Sequence, residues 1–242
     1  MDWLLAPIDA SRAHEVGLAL SWHGRLMVLG WGVLAPLAVL VARFFKIMPG
    51  QDWPRELDNQ TWWRSHWIGH SEVVGLSIFA LYLVLPAALS AMSLHNWFGY
   101  TVLIAMVAQV LLGVFRGNKG GPTADAPDGS PRGHHYDMTR HRRVFEALHK
   151  SLGYLTLMLA VITILLGLWD ANGPVWMWIA LILWWTLIIT AFLLLQKRQM
   201  AVDTYQAIWG VDPSHPGNQL PDPGWGVRRF SGSKGDTHVR SD

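Results

Sequence analysis

Five stretches of this 242-residue chain are apolar over a length that spans a lipid bilayer. The hydrocarbon core of a bilayer is about 30 Å thick and requires about 20 consecutive apolar residues in an α-helix. The stretches cover residues 18–45, 63–89, 95–115, 148–169 and 175–195. Pro36 falls inside the first, where neighbouring helices can satisfy the backbone groups that proline frees. The sequence therefore predicts an all-α integral membrane protein with five transmembrane helices.

The composition excludes several other classes of protein. Hydrophobic residues make up 51% of the chain and charged residues 15%, against about 25% charged in an average soluble domain. High hydrophobicity with a net charge of only +2 excludes a disordered chain. The absence of cysteine excludes a disulfide scaffold, a zinc-thiolate site, an iron–sulfur cluster and covalently attached c-type haem.

The polar segments divide the chain into three parts. Residues 1–16 are interrupted by charged residues and proline, and we expect them to lie at the membrane surface. Residues 17–196 form the transmembrane domain, with a long polar loop between the third and fourth helices. Residues 197–242 are rich in glycine, proline and charge, which predicts a flexible tail with little packed structure.

The basic residues fall almost entirely on one side of the predicted membrane domain. With five crossings, two of the 19 Lys and Arg residues lie on the side of the N-terminus, and the rest lie on the other side. The positive-inside rule therefore predicts a periplasmic N-terminus and a cytoplasmic C-terminus in a bacterial inner membrane. A basic face in contact with membrane lipid also explains the pI near 9.0 without a nucleic-acid partner.

Five histidines lie at or just inside the predicted membrane helices, where an ionisable residue is a functional hypothesis by default: His23, His66, His70, His95 and His149. Each lies near the N-terminal end of its helix, and successive helices run in opposite directions. The topology therefore brings His23 to His95 near one membrane face, and His66 or His70 to His149 near the other. For any single histidine, an interfacial side chain bonded to a lipid headgroup is the alternative.

Such pairs suit a particular cofactor. Bis-histidine ligation of b-type haem takes one imidazole from each of two facing helices, and it needs no cysteine tether. The sequence therefore predicts two non-covalent haem b groups in a four-helix bundle, with the fifth helix as an addition.

An internal repeat places a glycine beside two of the histidines. Two stretches that begin 54 residues apart, at His95 and His149, both read H-x3-G-Y-x10-L-L-G. Gly99 and Gly153 share a helix face with these histidines, and we expect them to make room for a flat macrocycle. Ordinary small-residue packing between helices is the alternative.

Basic side chains lie next to three of the predicted ligands. They are Arg25, Arg64 and Lys150. Haem propionates need cationic partners, and arginine can bind a carboxylate bidentately, so we expect these residues to contact the cofactor. Snorkelling of the long side chains towards the headgroups is the alternative.

These stretches resemble the cytochrome b561 family, in its five-helix, ferric-reductase-like branch found in bacteria. The resemblance covers about residues 1–195 and rests on S-W-H-G-R-L-M-V-L-G-W from Ser21, A-R-F-F-K from Ala42, D-N-Q-T-W-W-R-S-H from Asp58 and the two H-x3-G-Y stretches. It implies two b haems, shared by the first and third helices and by the second and fourth. It also implies His66 as the second-helix ligand, and His70 stands where the family usually has glutamine.

The resemblance also implies a function. A dihaem cytochrome of this kind carries electrons across the bilayer, from a small reductant such as a quinol or an ascorbate-like molecule to a one-electron acceptor or partner redox protein. Its enzymatic form is a transmembrane oxidoreductase. The alternative interpretation is a haem-binding anchor or accessory subunit of a larger respiratory or photosynthetic complex, docked through the C-terminal tail.

Overall fold

The computed structural model describes residues 2–90, 93–117, 121–125, 131–135, 138–221, 224 and 226–231. The long helices are α2 (Leu18–Phe44), α3 (Thr61–Ser90), α4 (Leu94–Val114), α5 (Arg140–Asp170) and α6 (Val175–Lys197). All five are long and apolar enough to cross a membrane, which confirms the predicted all-α membrane fold.

The shorter elements lie outside these helices. They are α1 (Asp2–Leu5), a hairpin of the antiparallel strands β1 (Gly121–Asp125) and β2 (Pro131–His134), α7 (Thr204–Trp209) and a 3₁₀ turn (Pro216–Gln219). We name the end of the bundle that carries residues 45–60, the hairpin and residues 198–231 the loop face. The opposite end, with residues 2–17 and the α5–α6 turn, is the N-terminal face.

Helix α5 begins eight residues before the predicted start at 148. The Thr139 side chain caps it by accepting a hydrogen bond from the backbone N–H of Arg142. Glu146 then forms an ion pair one turn on with Lys150, at 3.0 Å. A cap and an i,i+4 ion pair both favour helix in a polar segment, so α5 extends beyond its apolar part.

Helix α2 contains a stretch of π-helix over Val28–Leu34. Pro36 has no backbone N–H, so the carbonyl of Gly32 lacks its ordinary α-helical donor. That carbonyl instead accepts hydrogen bonds from two indoles of α6, Trp184 Nε1 at 2.9 Å and Trp185 Nε1 at 3.3 Å. The neighbouring helix thus satisfies the group that proline frees, as the sequence predicts.

The bundle is built from two closely packed helix pairs, α2 with α3 and α4 with α5. Helix α2 also reaches α5 through the π-helical stretch. The buried core residues lie between the pairs and include Trp31, Ala35, Val73, Val102, Ala160, Ile164 and Leu181. The Trp31 indole donates a hydrogen bond to the Ser77 hydroxyl at 3.0 Å, so the polar atoms in this core are paired with each other.

The N-terminal segment is fastened to the α5–α6 turn. The Asn172 side chain, 2% exposed, accepts from the backbone of Asp9 and donates to the carbonyl of Arg12. Backbone bonds from Ile8 to Gly173 extend the attachment. Residues 6–14 therefore lie across the turn at the N-terminal face.

The tail is folded where the sequence predicts little packed structure. Tyr205, Ile208 and Trp209 of α7 are at most 2% exposed. The backbone N–H of Asp58 donates to Ala207, and Gly121 of β1 lies against Ile208. Two segments that are distant in sequence from the tail thus cover α7. Residues 232–242 lie outside the described part of the chain.

A buried ion pair holds the end of the described tail. Asp203 and Arg229 are 2.6 Å apart, and each side chain is 11% exposed. The ring of Phe230 lies 4.9 Å from that of Trp53 in the first loop. The tail therefore joins the loop face through charge pairing as well as through apolar burial.

Candidate haem sites

The first histidine pair lies near the N-terminal face. The rings of His23 and His95 have their centroids 6.2 Å apart at an interplanar angle of 86°. Each ring places Nδ1 3.0 Å from a backbone carbonyl, of Ala80 for His23 and of Thr163 for His95. A carbonyl only accepts, so Nδ1 carries the proton in both rings. Each Nε2 therefore has a free lone pair, as a metal ligand requires.

The second pair lies near the loop face. The rings of His66 and His149 have their centroids 6.0 Å apart at an interplanar angle of 74°. The His66 ring lies towards the backbone of Ala38. Within the described residues, the buried Nδ1 atoms of His66 and His149 have no hydrogen-bond partner of good geometry. These two rings are therefore held less firmly than those of the first pair.

His70 lies beside the second pair on the same helix as His66. Its Nδ1 donates to the His66 carbonyl at 2.9 Å, and the two ring centroids are 4.4 Å apart. Two rings from consecutive turns of one helix face the same side and cannot flank one atom. The structure thus places His66 opposite His149, with His70 next to them.

In both pairs the rings have the separation that two imidazoles would have if they bound one metal atom. A metal–imidazole bond is about 2 Å long and the ring centre lies about 1 Å behind the nitrogen, so two ligands place their ring centroids about 6 Å apart. The observed separations are 6.2 and 6.0 Å. Among the described residues, no group of three or more His, Asp or Glu side chains forms a site for a bare metal ion.

The two pairs lie at different depths of the bundle. His23 is level with Ala80 of α3, and His66 is fourteen residues earlier on the same helix. At 1.5 Å per residue this places the pairs about 21 Å apart along the helix axis. That distance is comparable to most of the thickness of a bilayer's hydrocarbon core, and the two pairs lie towards opposite ends of the bundle.

The glycines of the repeat differ in their surroundings. A Cβ on Gly99 would lie 3.8 Å from Thr163 Cγ2, and one on Gly153 would lie 3.2 Å from Gln109 Nε2. The nearest atoms to these glycines thus belong to the opposite helix. The closest approach to an imidazole is at Gly167, where a Cβ would come within 2.7 Å of His95 Cε1. Gly167 is the final residue of the repeat motif, which is the signal that could have identified it.

The three expected propionate partners lie on the outer surface of the bundle. Arg25 is exposed with its guanidinium over the Trp22 ring. Arg64 is exposed and donates to the side chain of Gln60, the residue just before its helix, and Lys150 pairs with Glu146.

Two other arginines lie closer to the second pair. Arg142 is 6% exposed and its guanidinium lies over Phe145, whose ring stacks on His149 with centroids 5.2 Å apart. Arg116 lies over the Trp63 ring near His66. Arg142 was missed because the predicted start of the fourth helix excluded it. On the observed helix it precedes His149 by seven residues and shares its face.

Comparison with known proteins gives one match. A family model described as eukaryotic cytochrome b561 matches residues 22–118, a stretch that contains most of α2 and all of α3 and α4. It includes His23, His66 and His95 and ends before His149. No curated protein and no solved structure matches the chain. Residues 22–118, about two fifths of the chain, are therefore similar to the cytochrome b561 family.

Proposed function

We propose that the chain is a dihaem cytochrome b that carries electrons between the two faces of the membrane. One haem is held by His23 and His95, the other by His66 and His149. The observation that supports this is the pair of imidazole separations near 6 Å, each formed by two different helices, at depths about 21 Å apart. Haem supplies a one-electron iron couple, and the protein supplies ligation, orientation and local charge.

The surroundings of each pair suit this role. Carbonyls fix the tautomer of His23 and His95, so their Nε2 atoms are available without rearrangement. At the loop face, Arg142 and Arg116 supply positive charge near the histidines, as propionates require. Arg64 and Lys150 are farther out and suit the water interface.

The loop face is proposed to be cytoplasmic and the N-terminal face periplasmic, in a bacterial inner membrane. The distribution of Lys and Arg supports this orientation. The donor is then a small reductant such as a quinol or an ascorbate-like molecule, and the acceptor is a one-electron oxidant or redox protein on the other side.

A free-standing cytochrome agrees with the structure better than a docked subunit. Trp209, which a tail-docked subunit would offer to its complex together with Trp225, is buried against segments of the same chain, and Trp225 lies outside the described residues. The described part of the tail therefore presents few apolar side chains to a partner.

The test is a haem count combined with single histidine variants. The purified protein is expected to contain two haems per chain by pyridine haemochrome assay. His23→Ala and His95→Ala should lose the same haem, and His66→Ala and His149→Ala the other. A single haem per chain, or loss of different haems by His23→Ala and His95→Ala, would overturn the proposal.

A further inference from the structure

The repeat relates the two histidine pairs residue by residue. With the offset of 54, His95 corresponds to His149 and Thr163 corresponds to Gln109. At the N-terminal face, His95 of α4 donates from Nδ1 to the backbone carbonyl of Thr163 on α5. The corresponding bond at the loop face would run from His149 of α5 to residue 109 of α4.

The loop face departs from this symmetry. The Gln109 side chain lies at His149, and its Nε2 donates to the His149 carbonyl at 2.9 Å. Among the described residues, Gln109 Oε1 is a buried acceptor with no donor, and His149 Nδ1 is a buried ring nitrogen with no partner. Buried polar groups are nearly always paired. An unpaired acceptor on Gln109 and an unpaired ring nitrogen on His149, two residues already joined by a hydrogen bond, therefore require an explanation.

Gly153 provides the room for this arrangement. It lies one turn after His149, and a Cβ there would be only 3.2 Å from Gln109 Nε2. The amide therefore lies flat against α5 at the glycine and reaches the His149 main chain. At the other pair, Gly99 faces only the methyl group of Thr163, at 3.8 Å.

We propose that Gln109 is the positioning residue of the loop-face haem ligand. Its Nε2 anchors the main chain of His149, and its Oε1, unpaired in the structure, is the acceptor that the His149 Nδ1–H would take when the imidazole binds the iron through Nε2. The inference rests on the proposed function. It assigns to a side-chain amide at one haem site the task that a backbone carbonyl performs at the other.

The chemistry predicts a signed effect on the haem potential. An acceptor at Nδ1 makes the imidazole more electron-rich and stabilises ferric iron, which lowers the potential. Gln109→Leu removes the acceptor, so the midpoint potential of the loop-face haem should rise. Gln109→Glu has nearly the same shape and supplies a stronger acceptor, so the potential should fall. The added charge of Gln109→Glu lowers the potential whatever the role of Gln109, so the rise in Gln109→Leu is the result that a purely structural role would not produce.

The experiment is a potentiometric titration of the purified holoprotein, with the loop-face haem identified by its loss in His66→Ala. Thr156→Val is the matched control because it removes a buried hydroxyl of α5 that donates to the Leu152 carbonyl on the same helix. This control should leave both potentials unchanged. The proposal is overturned if Gln109→Leu and Gln109→Glu shift the potential in the same direction or leave it unchanged, or if the other haem shifts instead.

If Gln109→Leu folds poorly, Gln109→Met, which keeps the length of the side chain and removes the amide, becomes the deciding variant. Failure of the proposed function is distinguishable, since the unsubstituted protein would then contain fewer than two haems per chain.

Discussion

Gly167 of α5 lies against the imidazole of His95 on α4, so closely that a Cβ would come within 2.7 Å of the ring. The His95 ring is held in this place by the Thr163 carbonyl, one turn earlier on the same helix face. A side chain at residue 167 and the observed position of the imidazole are therefore incompatible.

Gly167→Ala should displace the His95 ring and reduce the haem at the N-terminal face. The contact is to the ring and not to a flexible chain end, so the ligand must move. We expect the pyridine haemochrome count to fall from two haems per chain towards one, with the loop-face haem retained. Gly113→Ala is the matched control, because no described atom lies within 4 Å of its Cβ. Full haem content in Gly167→Ala would contradict the close packing.

His66 and His70 should differ sharply on substitution. His66→Ala should abolish the loop-face haem, since His66 lies opposite His149 with ring centroids 6.0 Å apart. His70→Gln retains a polar side chain beside the pair and should keep that haem with at most a shifted potential. Reduced-minus-oxidised spectra of the two purified variants measure this. Haem loss in His70→Gln with retention in His66→Ala would assign the ligand to His70.

Lys46 should make the attachment of the tail depend on pH. Lys46 is 8% exposed, and its Nζ donates a hydrogen bond to the Val202 carbonyl at 2.8 Å. Burial, and then the nearby Lys150, lower the pKa of Lys46 to about 8 from 10.5, against the opposing effect of Glu146. Between these two pKa values Lys46 is mostly protonated when the tail is detached and mostly neutral when it is attached. The free energy of tail attachment therefore becomes more favourable as pH rises from about 8 to about 10, by up to about 1.4 kcal/mol per pH unit.

The measurement is protease sensitivity of the tail from pH 7 to 10, with Lys46→Met as the reference at each pH. The reference cancels the pH dependence of the protease itself. Protection in the unsubstituted protein should increase relative to Lys46→Met above pH 8. A constant ratio across this range would show that Lys46 does not titrate there.

Trp209→Ala should detach the folded tail while leaving the haems in place. Trp209 is 2% exposed among Tyr205, Ile208 and His135, and removal of a buried tryptophan side chain costs about 3–5 kcal/mol. Protease cleavage between residues 198 and 231 should accelerate at unchanged haem content. Trp3→Ala, at a tryptophan that is 61% exposed, is the control. Equal cleavage in both variants would show that α7 does not hold the tail.

A reporter fused after Asp242 should behave as cytoplasmic, and a tag before Met1 as periplasmic. The prediction follows from the excess of Lys and Arg at the loop face. Accessibility of each tag in intact cells tests it. The reverse accessibility would exchange the faces assigned to the two haems.

The helices and the pairing of the histidines could be predicted because both follow from length, apolar runs and alternating direction. The start of α5 could not, since a cap at Thr139 and a surface ion pair extend it into polar sequence. That error concealed Arg142. The fold of the tail was missed because α7 has six residues and is stabilised by segments elsewhere in the chain. The contact of the Gln109 side chain with His149 could not be predicted either, because the repeat motif does not show which side chains are long enough to reach the opposite helix.

The hydrogen bonds from Trp184 and Trp185 to Gly32 make α2 and α6 dependent on each other. Lipid gives no hydrophobic drive for helix association, so these two bonds are a main tie between α6 and the bundle. Pro36 leaves the Gly32 carbonyl without a donor on its own helix, and the two indoles donate to that carbonyl. A relative with four helices should therefore lack this proline, and one that keeps the proline should keep an indole donor on its fifth helix. The proline, the π-helical stretch and the fifth helix are therefore structurally coupled.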